Sequence, residues 1–334
     1  MVSAAEEEDP EGGIERRDGH GGETTPDVRW TSWVIPMVVI ANVVVFIYVT
    51  YVNDCPRRSD RCLGKFLGRF SFESFKTNPL LGPSSSTRFL RNALALVLNP
   101  FDESCRLEKM GALAWGKIVH KRQGWRLLTC MWLHAGVIHL LANMFCVAFI
   151  GVRLEQQFGF VRVGTIYLVS GFCGSILSCL FVQNAISVGA SSALFGLLGA
   201  MLSELLINWT TYDNKGVALV MLLVIVGVNL ALGTLPPVDN FAHIGGFIGG
   251  FLLGFLLLIH PQFEWDENRV STLVPGSIVK PKYNICQLVL CIAAATVFVA
   301  GFVSGLVILF RGDNLNRYCK WCHKLSYSVK SQWT

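Results

Sequence analysis

Phe241-Ala-His243-Ile-Gly-Gly246-Phe-Ile-Gly-Gly250-Phe-Leu-Leu-Gly254-Phe-Leu-Leu-Leu-Ile-His260 is a run of twenty residues without a single Asp, Glu, Lys or Arg. A helix needs about 20 mostly apolar residues to cross a bilayer, so the run reads as a membrane span. Gly246, Gly250 and Gly254 recur every four residues, with Gly245 and Gly249 beside them. Small residues at that spacing let helix backbones approach closely where no hydrophobic force drives helices together. His243 sits at the start of the run. An ionisable group is expensive in lipid and marks a functional candidate.

Working outward, six more runs have the same character: Trp33–Val52, Leu127–Val152, Val163–Val182, Ser191–Asn208, Val217–Leu235 and Ile285–Phe310. The chain of 334 residues is 52% hydrophobic and 15% charged. Soluble domains carry about 25% charged residues. The expected architecture is therefore an all-α polytopic membrane protein with a compact six-helix core and one appended C-terminal transmembrane helix. Helices are required because lipid offers no partner to unpaired backbone groups. The organisation follows: a disordered acidic tail over 1–32, the first span at 33–52, a large loop at 53–124, the core at 125–260, a linker at 261–284, a seventh span at 285–310 and a cysteine-containing tail at 311–334. The first span is too long and comes too late for a signal peptide.

Positive charge in short loops sets orientation. Arg153 and Arg162, Lys215, and Arg269, Lys280 and Lys282 fall in the joints after spans two, four and six, whereas 183–190 and 236–240 hold no Lys or Arg. The amino terminus is expected in the cytosol. The C-terminal tail, with Arg311 and Arg317 among its basic residues, runs against the pattern. The net charge of +5 needs no nucleic-acid partner; the bilayer accounts for it.

In this orientation spans two, four and six begin in one leaflet. Span two carries His134, His139 and Asn143; span four opens Gly189-Ala-Ser191-Ser192; span six opens on His243. His139 and Asn143, four apart, share a helix face. A lone membrane serine usually bonds back to its own helix, and a lone histidine is often an interfacial anchor. Convergence of Ser, His, His and Asn in one leaflet favours chemistry instead. A serine hydroxyl becomes a nucleophile when a base takes its proton, and a neutral imidazole does this at physiological pH. Ser191 with His243 forms a candidate dyad; Asp239 would lie at the helix mouth and takes no role. His139, Asn143 and the Ser191 backbone N–H are candidate donors to an oxyanion.

These residues resemble the rhomboid family of intramembrane serine proteases. The matching motifs are Gly189-Ala-Ser191, Ala242-His243 followed by Gly246 and Gly250, and His134…His139…Asn143. Trp125-Arg126 resembles the Trp-Arg pair of the family's first large loop, and Gly151-Val-Arg-Leu-Glu155-Gln-Gln-Phe-Gly159 its GxxxExxxG motif. Phe195 matches the aromatic position that stacks on the catalytic histidine. The resemblance covers roughly 125–260. It implies a serine endopeptidase, without cofactor or metal, that cleaves transmembrane helices of other membrane proteins near the luminal face. The appended span resembles the eukaryotic secretase-type branch, with plant-like features. That implies a multi-pass protein of the Golgi, another endomembrane or the plasma membrane. One departure stands out: Ser192 occupies the last position of the family's GxSG, where its hydroxymethyl group could crowd the oxyanion pocket or act as a decoy. An inactive relative that binds transmembrane clients is the alternative. A transporter is disfavoured by the absence of an internal repeat.

Three other motifs are weighed. Cys319-Lys-Trp-Cys322-His323 fits a haem-attachment pattern, but no domain surrounds it, and a disulfide is the expectation; Cys55, Cys62 and Cys105 lie on the same side. Asn208-Trp-Thr210 is a glycosylation sequon expected on the cytosolic side, hence silent. Glu204 is expected to snorkel or pair with a neighbour.

Overall fold

The computed structural model describes residues 30–55, 62–75, 78–83, 106–183, 185–209, 214–232, 238–259, 285–313, 315 and 319. The expected tail before residue 30 and the linker over 261–284 lie outside these residues, as does nearly all of the C-terminal tail. Seven apolar helices run through the described chain: α1 Val34–Asn53, α2 Val137–Phe158, α3 Phe160–Phe181, α4 Ser191–Ile207, α5 Lys215–Leu232, α6 Asn240–Leu257 and α7 Ile285–Arg311. Five have the length and composition of membrane spans, and α4 and α5 are shorter apolar helices.

Helix α2 begins ten residues later than the hydropathy run that starts at Leu127. Residues Arg126–Thr129 and Cys130–Trp132 form two short turns before it. The side chains of Leu127, Met131 and Leu133 are buried in them. That apolar stretch packs inward under the loop, so hydropathy alone could not separate it from the span.

Helix α4 is the centre of the bundle and is buried around most of its circumference. It packs most closely on α6 and α3. Glycines set the distance. A Cβ on Gly250 would meet Gly196 Cα and C at 2.5 Å, and one on Gly246 would meet Ser192 C at 2.8 Å. One on Gly245 would meet Leu177 Cβ at 2.7 Å on α3. At 17 residues, α4 is about 26 Å long, short of the roughly 30 Å hydrocarbon core.

Glu155, fully buried near the end of α2, fixes the opposite end of the bundle. Its carboxylate accepts from the Ser32 hydroxyl at 2.6 Å and from the backbone N–H groups of Trp33, Val34 and Ile35 at 2.7, 2.7 and 2.9 Å. These are donors with no partner in their own helix, and a carboxylate at a helix N-terminus also complements its dipole. Gly151, one turn earlier, makes room for Ile35, whose Cδ1 lies 2.8 Å from where a Cβ would stand. Gly159 alone joins α2 to α3, at φ +84°, a backbone setting that side chains disfavour.

The described start of the long loop after α1 carries two local devices. Cys55 and Cys62 form a disulfide with each other, and Leu63 pairs with Phe72 in a small hairpin. Cys319 is also disulfide-bonded. Asn208, the sequon residue, is buried and donates its amide to Glu204 and to the Leu258 carbonyl, both at 3.1 Å. The sequon asparagine is thus enclosed by the bundle, and Glu204 is paired there.

Candidate active site

The approach to Ser191 is held from two sides. Ser187 and Leu113 exchange both backbone hydrogen bonds, at 2.9 and 3.1 Å, and the Gly189 N–H donates to the Cys130 carbonyl at 3.0 Å. Gly189 turns at φ +133°, where a side chain would be strained and would collide with the His139 ring at 2.8 Å. Ser191 follows as the first residue of α4. His243 is one turn into α6, buried to 6% exposure.

Ser191 Oγ and His243 Nε2 lie 2.9 Å apart. With the hydroxyl as donor, the imidazole carries its own proton on Nδ1. That nitrogen has no hydrogen-bond partner among the described residues, so no third group orients the ring through it. The Phe195 ring does so instead, stacked on His243 at a centroid distance of 4.3 Å and an angle of 7°. Asp239 is otherwise engaged. Its Oδ1 accepts from the Phe241 and Ala242 N–H groups at 3.1 and 3.2 Å, capping α6, and its Oδ2 accepts from the Ser178 hydroxyl on α3. Burial raises its carboxyl above the ordinary range, against the pull of these donors.

His139 reaches the same place from α2. Its Nε2 lies 3.0 Å from the point a Gly189 Cβ would occupy, and Ser191 Oγ lies 3.7 Å from that point. The Asn143 amide donates to the His139 carbonyl of its own helix at 2.9 Å. The structure thus brings Ser191, His243, His139, Gly189 and Phe195 together, while Asn143, one turn along α2 from His139, has its amide turned back on that helix. Among the described residues no group of three His, Cys, Asp or Glu side chains is placed to hold a metal.

A family model of the rhomboid domain matches residues 121–260. The chain is 81% identical over 334 residues to RHOMBOID-like protein 7 of Arabidopsis thaliana, covering 100% of both proteins. It is 57% identical over 316 residues to RHOMBOID-like protein 2 of the same plant, covering 93% of this chain and 92% of the other. The chain belongs to the rhomboid family. A further Arabidopsis relative, Inactive RHOMBOID-like protein 8, is 40% identical over 322 residues, covering 92% of this chain and 84% of its own. The family is one of intramembrane serine proteases in which some members are named inactive, and this rhomboid is a multi-pass membrane protein acting in a lipid bilayer.

Ser192 is the residue that departs from the family's GxSG. One residue round α4 from Ser191, its side chain faces α3, where its Cβ lies 2.6 Å from the point a Gly174 Cβ would occupy. Gly174 on α3 leaves the room that the Ser192 Cβ takes up. Arg126 anchors the loop below. It donates to the carbonyls of Glu108 and Ala112 at 2.6 and 2.8 Å and to Gln123 Oε1 at 2.7 Å, and it stacks on the half-exposed Trp125 ring.

His134 is a residue whose place sequence reasoning left without a role. It is fully buried, meets the His139 ring edge-on at 5.2 Å, and among the described residues neither ring nitrogen makes a hydrogen bond of ordinary geometry. Its five-residue separation from His139, with Gly136 between, was the only signal.

Proposed function

We propose that this rhomboid is an active intramembrane serine endopeptidase that cleaves transmembrane helices of other membrane proteins. The observation that carries the reading is the 2.9 Å contact between Ser191 Oγ and His243 Nε2 beneath the stacked Phe195 ring. Ser191 attacks the scissile carbonyl while His243 Nε2 takes its proton and later delivers it to the leaving amine. The carbonyl oxygen, now anionic, is met by the Ser191 N–H, by His139 and by the Asn143 amide, which must rotate away from the His139 carbonyl to reach it. Water then hydrolyses the acyl-enzyme, with His243 again as base. The substrate helix must unwind locally to present a carbonyl, so helix-breaking residues near the cut favour cleavage. The amino terminus faces the cytosol, the site opens toward the lumen, and the protein resides in an endomembrane or at the plasma membrane.

The alternative, a client-binding relative without turnover, draws on Ser192 in place of glycine and on the back-bonded Asn143. Co-expression with a membrane-anchored reporter decides between them. Release of a fragment that disappears with Ser191→Ala and with His243→Ala supports the protease. Cleavage that persists in Ser191→Ala defeats the assignment, and cleavage that appears only in Ser192→Gly favours the inactive alternative.

A further inference from the structure

The stretch Asn78-Pro-Leu-Leu-Gly-Pro83 lies in the long loop between α1 and α2, yet it closes the first turn of α2. The Val137 N–H donates to the Leu81 carbonyl at 2.8 Å and the Ile138 N–H to the Leu80 carbonyl at 3.2 Å. The opening N–H groups of a helix have no partner within it, and no side chain caps α2; this strap of backbone does so. Asn78, exposed by only 1%, ties the strap down with its whole side chain. Its amide donates to the Pro83 carbonyl at 2.9 Å and to the Ala135 carbonyl at 2.8 Å, and its Oδ1 accepts from the Leu80 N–H at 3.0 Å.

Two further features mark the strap as built. The backbones touch: a Cβ on Gly136 would meet the Leu80 carbonyl carbon at 2.5 Å, and one on Gly82 would meet the Ala135 carbonyl carbon at 2.8 Å. Leu81 is held at φ 55°, a left-handed setting that costs a branched side chain and persists only where its surroundings impose it. His139 follows Ile138 directly, and Asn143 lies one turn further on. Helix α2 packs on α1 and also on α3 and α4, with Glu155 pinning its far end.

We propose that Asn78–Pro83 is a positioning element for the reaction, setting the near end of α2 so that His139 and Asn143 meet the oxyanion formed at Ser191. Asn78 is its positioning residue. The inference rests on the protease reading above. Full-length wild type, Asn78→Ala and, as a control within the same loop, Ser71→Ala are reconstituted in lipid vesicles with a transmembrane substrate. Among the described residues the Ser71 hydroxyl bonds to the Gly64 and Gly68 carbonyls in the hairpin. Labelling to completion with a fluorophosphonate counts competent Ser191, and turnover is expressed per labelled site. Asn78→Ala is expected to lower kcat per site about 10- to 100-fold with KM within about 3-fold, because a misplacement near 1 Å has that effect. Ser71→Ala keeps kcat per site. Fewer labelled sites with kcat per site unchanged would mean that Asn78 only supports folding, and would overturn the proposal. Wild type that neither labels at Ser191 nor cleaves would instead sink the protease reading, and the proposal with it.

Discussion

The glycine seam between α4 and α6 carries a demanding prediction, because it links packing to chemistry one turn below the catalytic contact. In Gly246→Ala the new methyl would stand 2.8 Å from Ser192 C and 3.1 Å from Ser192 Cα, with the Ser192 carbonyl oxygen nearer still. Both neighbours are backbone, so no side chain can swing aside. Restoring ordinary carbon contacts requires the helices to part by at least about 0.6 Å, and overpacking of this kind typically costs about 1–3 kcal/mol. The same displacement opens the 2.9 Å Ser191–His243 contact toward the limit of hydrogen bonding, and a misplacement near 1 Å is worth about 100-fold in rate. Turnover per labelled site should therefore fall about 30- to 100-fold, accompanied by a lower thermal midpoint in detergent. Gly301→Ala on α7, where a Cβ meets nothing within 4 Å, is the control and should be neutral or slightly stabilising, since glycine disfavours helices by about 0.5–1 kcal/mol. If Gly246→Ala retains turnover within 3-fold of wild type, the seam does not set the dyad distance and the reasoning fails.

Other consequences follow from single residues. Asp239→Ala removes the cap of α6 and should cost about 1 kcal/mol of stability while leaving fluorophosphonate labelling of Ser191 intact; labelling lost as fully as in His243→Ala would make Asp239 a third catalytic member. Glu155→Gln leaves one acceptor oxygen where four donors now meet two, and should lower the unfolding free energy by about 2–3 kcal/mol. Turnover per labelled site should stay within about 2-fold, because that end of the bundle is remote from the dyad. Phe195→Ala removes the ring stacked on His243 and should reduce kcat about 10-fold with little change in KM; Phe195→Tyr, which keeps the ring, should restore it. Arg126→Lys cannot serve both carbonyl acceptors with its former geometry and should increase protease nicking of the loop around 108–112 in limited digestion.

The sequence conveyed what periodicity and residue chemistry can carry. Seven apolar runs gave seven apolar helices, since a twenty-residue run free of charge has few other fates. The glycines of α6 announced a close neighbour because four-residue spacing has a direct geometric meaning, and Gly196 proved to be one of the residues they face. Ser191 and His243 stood out because polar groups at span starts are conspicuous against an apolar background. The start of α2 was not legible, since Leu127, Met131 and Leu133 are buried by the loop in the same way that lipid would bury them. Nor was the strap: Asn78-Pro-Leu-Leu-Gly-Pro reads as a generic turn, and its partners at 135–138 are backbone atoms without any sequence signature. The orientation of Ser192 was equally hidden, because the space that receives it belongs to a glycine on another helix.

The site is assembled from two parts of unequal rigidity. Ser191 and His243 stand on helices locked backbone to backbone by Gly196, Gly246 and Gly250, and closely packed interiors of this kind deform little. His139 and Asn143 stand on α2, which packs along α1, α3 and α4 and has its first turn closed by the strap. The nucleophile and base are therefore preset, whereas the donors for the oxyanion depend on distant contacts and, for Asn143, on releasing a bond to its own helix. Electrostatic stabilisation of the oxyanion is usually the largest catalytic contribution, worth about 100- to 1000-fold per donor. Loss of function in this rhomboid should accordingly come in two kinds. Damage to the α4–α6 seam slows both labelling and turnover, while damage to α2 or its strap spares labelling and lowers turnover. A panel of substitutions along both elements, scored by the two assays together, separates these classes; if every variant lost both in parallel, the division into a rigid dyad and a separately positioned set of donors would be wrong.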